Sequence, residues 1–182
     1  NIIFCIGTYH SVMQRIYRFL FLLSPTMLLA LVAGFYLNIL WFAPAVFFIV
    51  LPILDALIGS RPMKWSEEEQ PQLAQSTLLH CVPVLNAVAW CAGLAWSIWV
   101  TPQVVQQGAL ALGFWIFSVG VVGGALGITT AHELVHRKNP SLRALGGVVL
   151  SSVCYGAFKV EHVRGHHLRV ATADDPASAR LG

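Results

Sequence analysis

The chain has 182 residues, of which 57% are hydrophobic and only 10% charged, and its mean hydropathy is +0.70. A soluble domain carries roughly 25% charged residues, so this composition argues against an ordinary soluble fold and for a lipid bilayer. The net charge of +3 is small, and the aromatics sit in apolar runs rather than on a basic face, which sets nucleic-acid binding aside.

Taken in chain order, four apolar runs are predicted to span. The first covers about 19–37 and follows Arg15 and Arg18; the second covers about 39–58, after a very short connection near Asn38. A polar stretch to Thr77 follows, with Arg61, Lys64 and Glu67 to Glu69. The third span covers about 78–100, and Thr101 to Gln107, with Pro102, is predicted as an uncharged turn. The fourth covers about 108–131 and is rich in glycine (Gly113, Gly120, Gly123, Gly124, Gly127). Small residues let helices approach closely in lipid; the same glycines would also leave room for an apolar ligand. From Gln70 to His132 there is no Asp, Glu, Lys or Arg, a stretch long enough for two crossings at about 20 residues each.

Arg15/Arg18, Arg61/Lys64 and Arg137/Lys138 fall on one side of a four-span layout, which the positive-inside rule makes cytoplasmic. The next run, Ser141 to Phe158, is marginal as a span. A crossing there would separate the histidines on its two flanks. If they share a site, this run is re-entrant or interfacial. The expected fold is therefore all-α: an integral-membrane helical bundle forming a single membrane domain over 1–182, with the region 132–182 cytoplasmic. Cys5, Cys81, Cys91 and Cys154 form no CxxC and read as small buried apolar side chains. The chain opens on Asn1 and stops at Gly182 just after a motif, so a piece of a longer protein, cut at least at the C-terminus, is expected.

Five of the seven histidines form two clusters, His132-x3-His136 and His162-x3-His166-His167. His10 and His80 stand alone and read as interfacial or hydrogen-bonded side chains. Residues i and i+4 of a helix share a face, so His132 and His136 can reach one ion or two neighbouring ions, and His162 and His166 repeat the spacing, with His167 turned to a neighbouring direction. The first cluster also fits H-E-x-x-H. A zinc protease reading would use His132, His136, one more ligand and Glu133 as general base, and it leaves at least two clustered histidines without a role. Five histidines fit part of a two-metal centre better.

"HELVHR" followed by "EHVRGHHLRVATADDPASARLG" resembles the first two histidine boxes of the bacterial membrane-bound alkane 1-monooxygenases, within the integral-membrane di-iron hydroxylase and fatty-acid desaturase superfamily. The resemblance implies His132, His136, His162, His166 and His167 as ligands of two non-haem iron ions. It implies terminal hydroxylation of medium- to long-chain n-alkanes with O2 and electrons from rubredoxin, itself served by rubredoxin reductase, in a bacterial inner membrane. A desaturase or another hydroxylase of the superfamily, and an intramembrane zinc metalloprotease, are the alternative functions. Val163 stands where the family pattern has a polar Asn, and the family's later histidine boxes and last two spans are absent, so the chain alone is not expected to turn over.

Around these ligands, Glu133, Glu161 and Asp55 are candidates to hydrogen-bond a ligand imidazole. Leu126, within two turns of His132, is the candidate wall of a substrate channel. Asp174 and Asp175 read as a helix cap or as partners of a loop arginine. The basic residues from Arg137 to Arg180 read either as a docking face for an acidic electron donor or as ordinary positive-inside topology.

Overall fold

The computed structural model describes residues 25–58, 76–175 and 177, and among them every regular element is helical. Helix α1 (Thr26–Tyr36) begins after Pro25 and ends in a tight turn at Asn38. Asn38 takes φ 56°, a left-handed conformation that asparagine tolerates better than most residues. Gly34 makes the hairpin possible, because a Cβ there would lie 2.8 Å from the Ile39 carbonyl oxygen. The chain returns as α2 (Phe42–Ala45), passes through a π-helical segment, π1 (Val46–Val50), and continues as α3 (Leu51–Ile58).

Two helices are long and apolar enough to cross a membrane, over Leu79–Val105 and Ala109–Val135, each of 27 residues. Only 33% and 28% of their apolar windows are buried within the chain, unlike the core helix of a soluble protein. Leu85, Ile98, Trp99, Leu110 and Ile116 all point outward. The first two expected spans are described as shorter apolar helices, Thr26–Tyr36 and Phe42–Leu57. The start of the first, with Arg15, Arg18, Arg61, Lys64, Cys5 and His10, lies outside the described residues.

The third expected span is longer than its composition suggests. Helix α4 (Thr77–Val105) runs through both Pro83 and Pro102, so the turn expected at Thr101 is helix. Proline removes one N–H from the helical ladder, and side-chain donors can compensate in lipid. At Pro102 the carbonyl so freed is that of Ile98, and Thr101 Oγ1 donates to the neighbouring Ser97 carbonyl at 2.7 Å. The reversal comes at Gly108, whose φ of 106° excludes most side chains. Trp115 Nε1 then donates to Thr101 Oγ1 at 3.1 Å, tying the two long helices together.

The fourth rod also outlasts its expected end at Ala131. It is α5 (Ala109–Val122), a second π-helical segment π2 (Gly123–Ile128), and α6 (Thr129–Val135). Only two of its glycines serve close packing against another helix. A Cβ on Gly123 or Gly127 would come within 3.0 or 3.3 Å of the Trp90 ring, whereas Gly113, Gly120 and Gly124 face open space. Trp90 is 1% exposed and donates through Nε1 to Ser152 Oγ at 2.9 Å. One side chain thus binds α4 to π2 and to the next helix.

That helix, α7 (Pro140–Ser152), has Asn139 at its N-cap accepting from the Ser141 N–H, and Pro140 in its first turn. Its 13 residues give a length of about 20 Å, short of the roughly 30 Å hydrocarbon core. The expected 18-residue run is broken because the chain turns at Cys154, with φ 58°. Cys154 and Cys81 are exposed rather than buried, and Cys91 is half-buried: they sit on outward faces and in a turn. Helix α7 lies close along α6. A Cβ on Gly146 would meet Leu134 Cβ at 3.0 Å and the Ala131 carbonyl at 3.1 Å. We therefore expect Gly146→Val to cost about 1–3 kcal/mol by overpacking, read as a lower unfolding midpoint in detergent; a midpoint equal to wild type would show that the contact yields freely.

Candidate metal centre

The close α6–α7 packing sets where the two histidine clusters meet. His132 lies in the last turn of α6 and His136 is its C-cap. After Cys154 the chain forms α8 (Phe158–Val160), a third π-helical segment π3 (Glu161–His166), and α9 (His167–Arg169). The second cluster is thus wound as a π-turn. His162 meets His167 nitrogen to nitrogen, with Nε2 atoms 3.0 Å apart, whereas His166 meets it only through the stacked face of its ring.

His162 is the hub. Its Nε2 lies 2.7 Å from His132 Nε2 and 3.0 Å from His136 Nε2, besides the contact with His167. The ligand nitrogens of His132, His136 and His162 all lie within 4.8 Å of one another. An imidazole nitrogen carries one lone pair or one proton. It cannot satisfy three neighbouring nitrogens by hydrogen bonding, whereas a shared cation can. For metal–nitrogen bonds of about 2.0–2.1 Å, right-angled ligands place their nitrogens about 2.8–3.0 Å apart and tetrahedral ligands about 3.3–3.4 Å. The observed spacings match the right-angled case.

The electrostatics agree with a ligand role. Partial burial, then the neighbouring His132 and His167, push His162 down to about 4. Burial, His132 and His167 also lower His136, against a smaller upward pull from Glu133. Both imidazoles are therefore neutral near pH 7 and have lone pairs to give a cation. Phe158 walls the cluster, stacked on His162 with ring centroids 4.7 Å apart and edge-on to His132 at 5.7 Å.

His166, expected as a ligand, stands apart from the Nε2 cluster. Its ring stacks on His162 at 5.5 Å, and its Nδ1 donates to the Asp175 carboxylate at 2.9 and 3.0 Å. Asp175, expected as a cap or arginine partner, is buried against this imidazole.

Residues 108–182, which include every histidine of the cluster, match the family model described as fatty acid desaturase. Alkane 1-monooxygenase 2 of Pseudomonas aeruginosa is 40% identical over 144 residues, covering 78% of this chain and 38% of that protein. Alkane 1-monooxygenase 1 of the same organism is 45% identical over 138 residues, covering 72% and 35%. Alkane 1-monooxygenase 2 of Alcanivorax borkumensis is 38% identical over 141 residues, covering 77% and 37%. This chain is a relative of the bacterial alkane 1-monooxygenases. It spans a little over a third of the length of these alkane 1-monooxygenases.

The remaining candidates on this alkane 1-monooxygenase relative fall in different places. Glu133 pairs with Arg137 at 2.8 Å, one helical turn on, and not with a ligand imidazole. Such an exposed pair contributes roughly 0–1 kcal/mol. Glu161 is exposed at the start of π3, and its side chain makes no hydrogen bond or ion pair among the described residues. Asp55 lies on the exposed face of α3, with no bond joining it to the cluster. His80 is held by the Ser76 carbonyl, 2.8 Å from Nδ1. Leu126, 2% exposed, lines a cavity of about 440 Å³ between α4, π2 and α6. Pro83, Asn86, Thr130 and Glu133 also line it.

Proposed function

We propose that this chain supplies part of the metal centre and the substrate cavity of a membrane alkane 1-monooxygenase, which hydroxylates the terminal carbon of medium- and long-chain n-alkanes. The supporting observation is the convergence of three imidazole nitrogens on His162 Nε2. The relatives' printed activity supplies the reaction class. Two non-haem iron ions held by His132, His136, His162, His166 and His167 would supply the O2-activating chemistry when bound.

The chain's own residues then have separable tasks. His162, His132, His136 and His167 would hold a metal ion through their Nε2 atoms. The cavity beside Leu126 has the volume of a ligand pocket, roughly 300–1,000 Å³, and aligns an alkane with its end toward His132. Phe158 and the apolar wall keep water from the reacting carbon. Asn86, Thr130 and Glu133 supply the polar part of the cavity lining. One oxygen atom of O2 enters the alcohol and the other leaves as water, which takes two electrons and two protons. Rubredoxin, reduced by its reductase, is the proposed electron donor, and the exposed basic residues Lys138, Arg164 and Arg169 form part of its docking face. The proposed setting is a bacterial inner membrane with the histidines on the cytoplasmic side, consistent with Arg137 and Lys138 beside them.

The test is a chimaera in which this chain replaces the matching segment of P. aeruginosa alkane 1-monooxygenase 2. Membranes fed n-alkanes, rubredoxin and its reductase should form 1-alkanols. Desaturated acyl lipids without alcohol, or no product from a folded iron-loaded chimaera, would overturn the reading. In the same chimaera, Leu126→Phe narrows the cavity and should shift product toward shorter chains, read by gas chromatography of an alkane mixture; an unchanged product profile would remove Leu126 from the cavity wall in use.

A further inference from the structure

The path of the chain after α9 contains a conformation that is unfavourable unless something requires it. Ala171 takes φ 62°, which costs a non-glycine residue roughly 1–2 kcal/mol. The reversal is fixed by Thr172, whose N–H and Oγ1 both donate to the Arg169 carbonyl, at 2.9 and 2.6 Å. The Asp175 N–H then donates to the Thr172 carbonyl at 3.2 Å. The product of these turns is one buried side chain. Every residue from His167 to Asp174 is exposed, whereas the Asp175 side chain is fully buried.

A buried carboxylate is costly unless it is paired. Both oxygens of Asp175 lie within 3.0 Å of His166 Nδ1, and Oδ1 also accepts from the Ala177 N–H at 2.9 Å. The carboxylate is thus anchored on its own backbone turn and aimed at one imidazole nitrogen. An acceptor at Nδ1 places the proton there and leaves Nε2 of the neutral ring as its only lone pair.

We propose that Asp175 is a positioning residue of the metal centre: by accepting from His166 Nδ1–H, it fixes the tautomer and ring direction that make His166 a ligand through Nε2. The inference rests on the metal-centre reading above. It explains why His166, the one clustered histidine outside the Nε2 contacts of His162, is nevertheless held in a single orientation. The turn at Ala171 exists, on this account, to carry the carboxylate back to the imidazole.

The experiment is a Co(II) titration of the detergent-purified chain, followed by visible absorption, with thermal unfolding of the metal-free protein alongside. Wild type, Asp175→Asn, Ala171→Gly and His162→Ala are compared. Asparagine keeps the shape and an acceptor for Ala177, but its amide no longer dictates the tautomer. We expect Asp175→Asn to weaken Co(II) binding 10–100-fold, the range for outer partners of metal-bound histidine, and to shift the Co(II) absorption bands, with the metal-free unfolding midpoint near wild type. Ala171→Gly should bind as wild type does. Wild-type affinity and bands in Asp175→Asn overturn this inference alone. A drop in the unfolding midpoint with unchanged bands also overturns it, in favour of a purely structural anchor. No Co(II) binding by wild type, with His162→Ala indistinguishable from it, overturns the metal-centre reading and this inference together.

Discussion

Replacing His162 with alanine should cost the protein its metal. His162 Nε2 is the one nitrogen in direct contact with those of His132, His136 and His167. Removing it deletes a ligand and the hub that sets the other three. The expected loss of Co(II) affinity exceeds the 10–100-fold that follows from removing an outer partner. His80→Ala is the control, because that imidazole is held at the start of α4 by the Ser76 carbonyl and should leave affinity unchanged. Wild-type affinity in His162→Ala would refute the arrangement. The variant should still fold, since His162 is only half-buried and no core residue rests on it alone.

The second large effect is on stability. Trp90 is buried, packs on Gly123 and Gly127, and donates to Ser152 on α7. Between helices in lipid the attraction is packing and hydrogen bonding rather than the hydrophobic effect, so a ring that fills the gap beside two glycines carries much of the bundle's cohesion. Trp90→Ala should cost about 3–5 kcal/mol, measured by unfolding in detergent. Trp90→Phe keeps most of the volume and loses the Ser152 bond, so about 1 kcal/mol is expected. Metal affinity should fall in parallel with stability, because π2 leads directly into the helix that carries His132. An alanine variant as stable as wild type would mean that α4, π2 and α7 are held by something other than this ring.

Much of the fold and part of the site can be read from the residues. The charge-free stretch from Gln70 to His132 announces the two long helices, and the i,i+4 spacing of His132 and His136 announces their shared face. Pro102 misleads, because a proline reads as a stop signal, yet the helix runs through it to Val105. Ser141 to Phe158 has the composition of a marginal span, and only the left-handed turn at Cys154 shows where it ends. Within the second cluster, the nitrogen contact of His162 with His167 and the stacked face it shares with His166 are encoded by no periodicity of apolar residues. Asp175 is hidden for a different reason. It lies nine positions from His166, and only the reversal at Ala171 brings the two together. The spacing His166-x8-Asp175 is the one signal present, and it is legible only after the turn is known. Glu133 shows the converse: an acid beside a ligand histidine looks functional, but Arg137 one turn away takes its carboxylate.

The central claim is that these histidines hold an iron centre and not a lone zinc. Its most direct test is the metal content of the chimaera with P. aeruginosa alkane 1-monooxygenase 2, purified from membranes, for wild type and His167→Ala. The account predicts about two iron ions per chain, reduced in His167→Ala because His167 belongs to the nitrogen cluster. About one zinc ion per chain, untouched by His167→Ala, would contradict it.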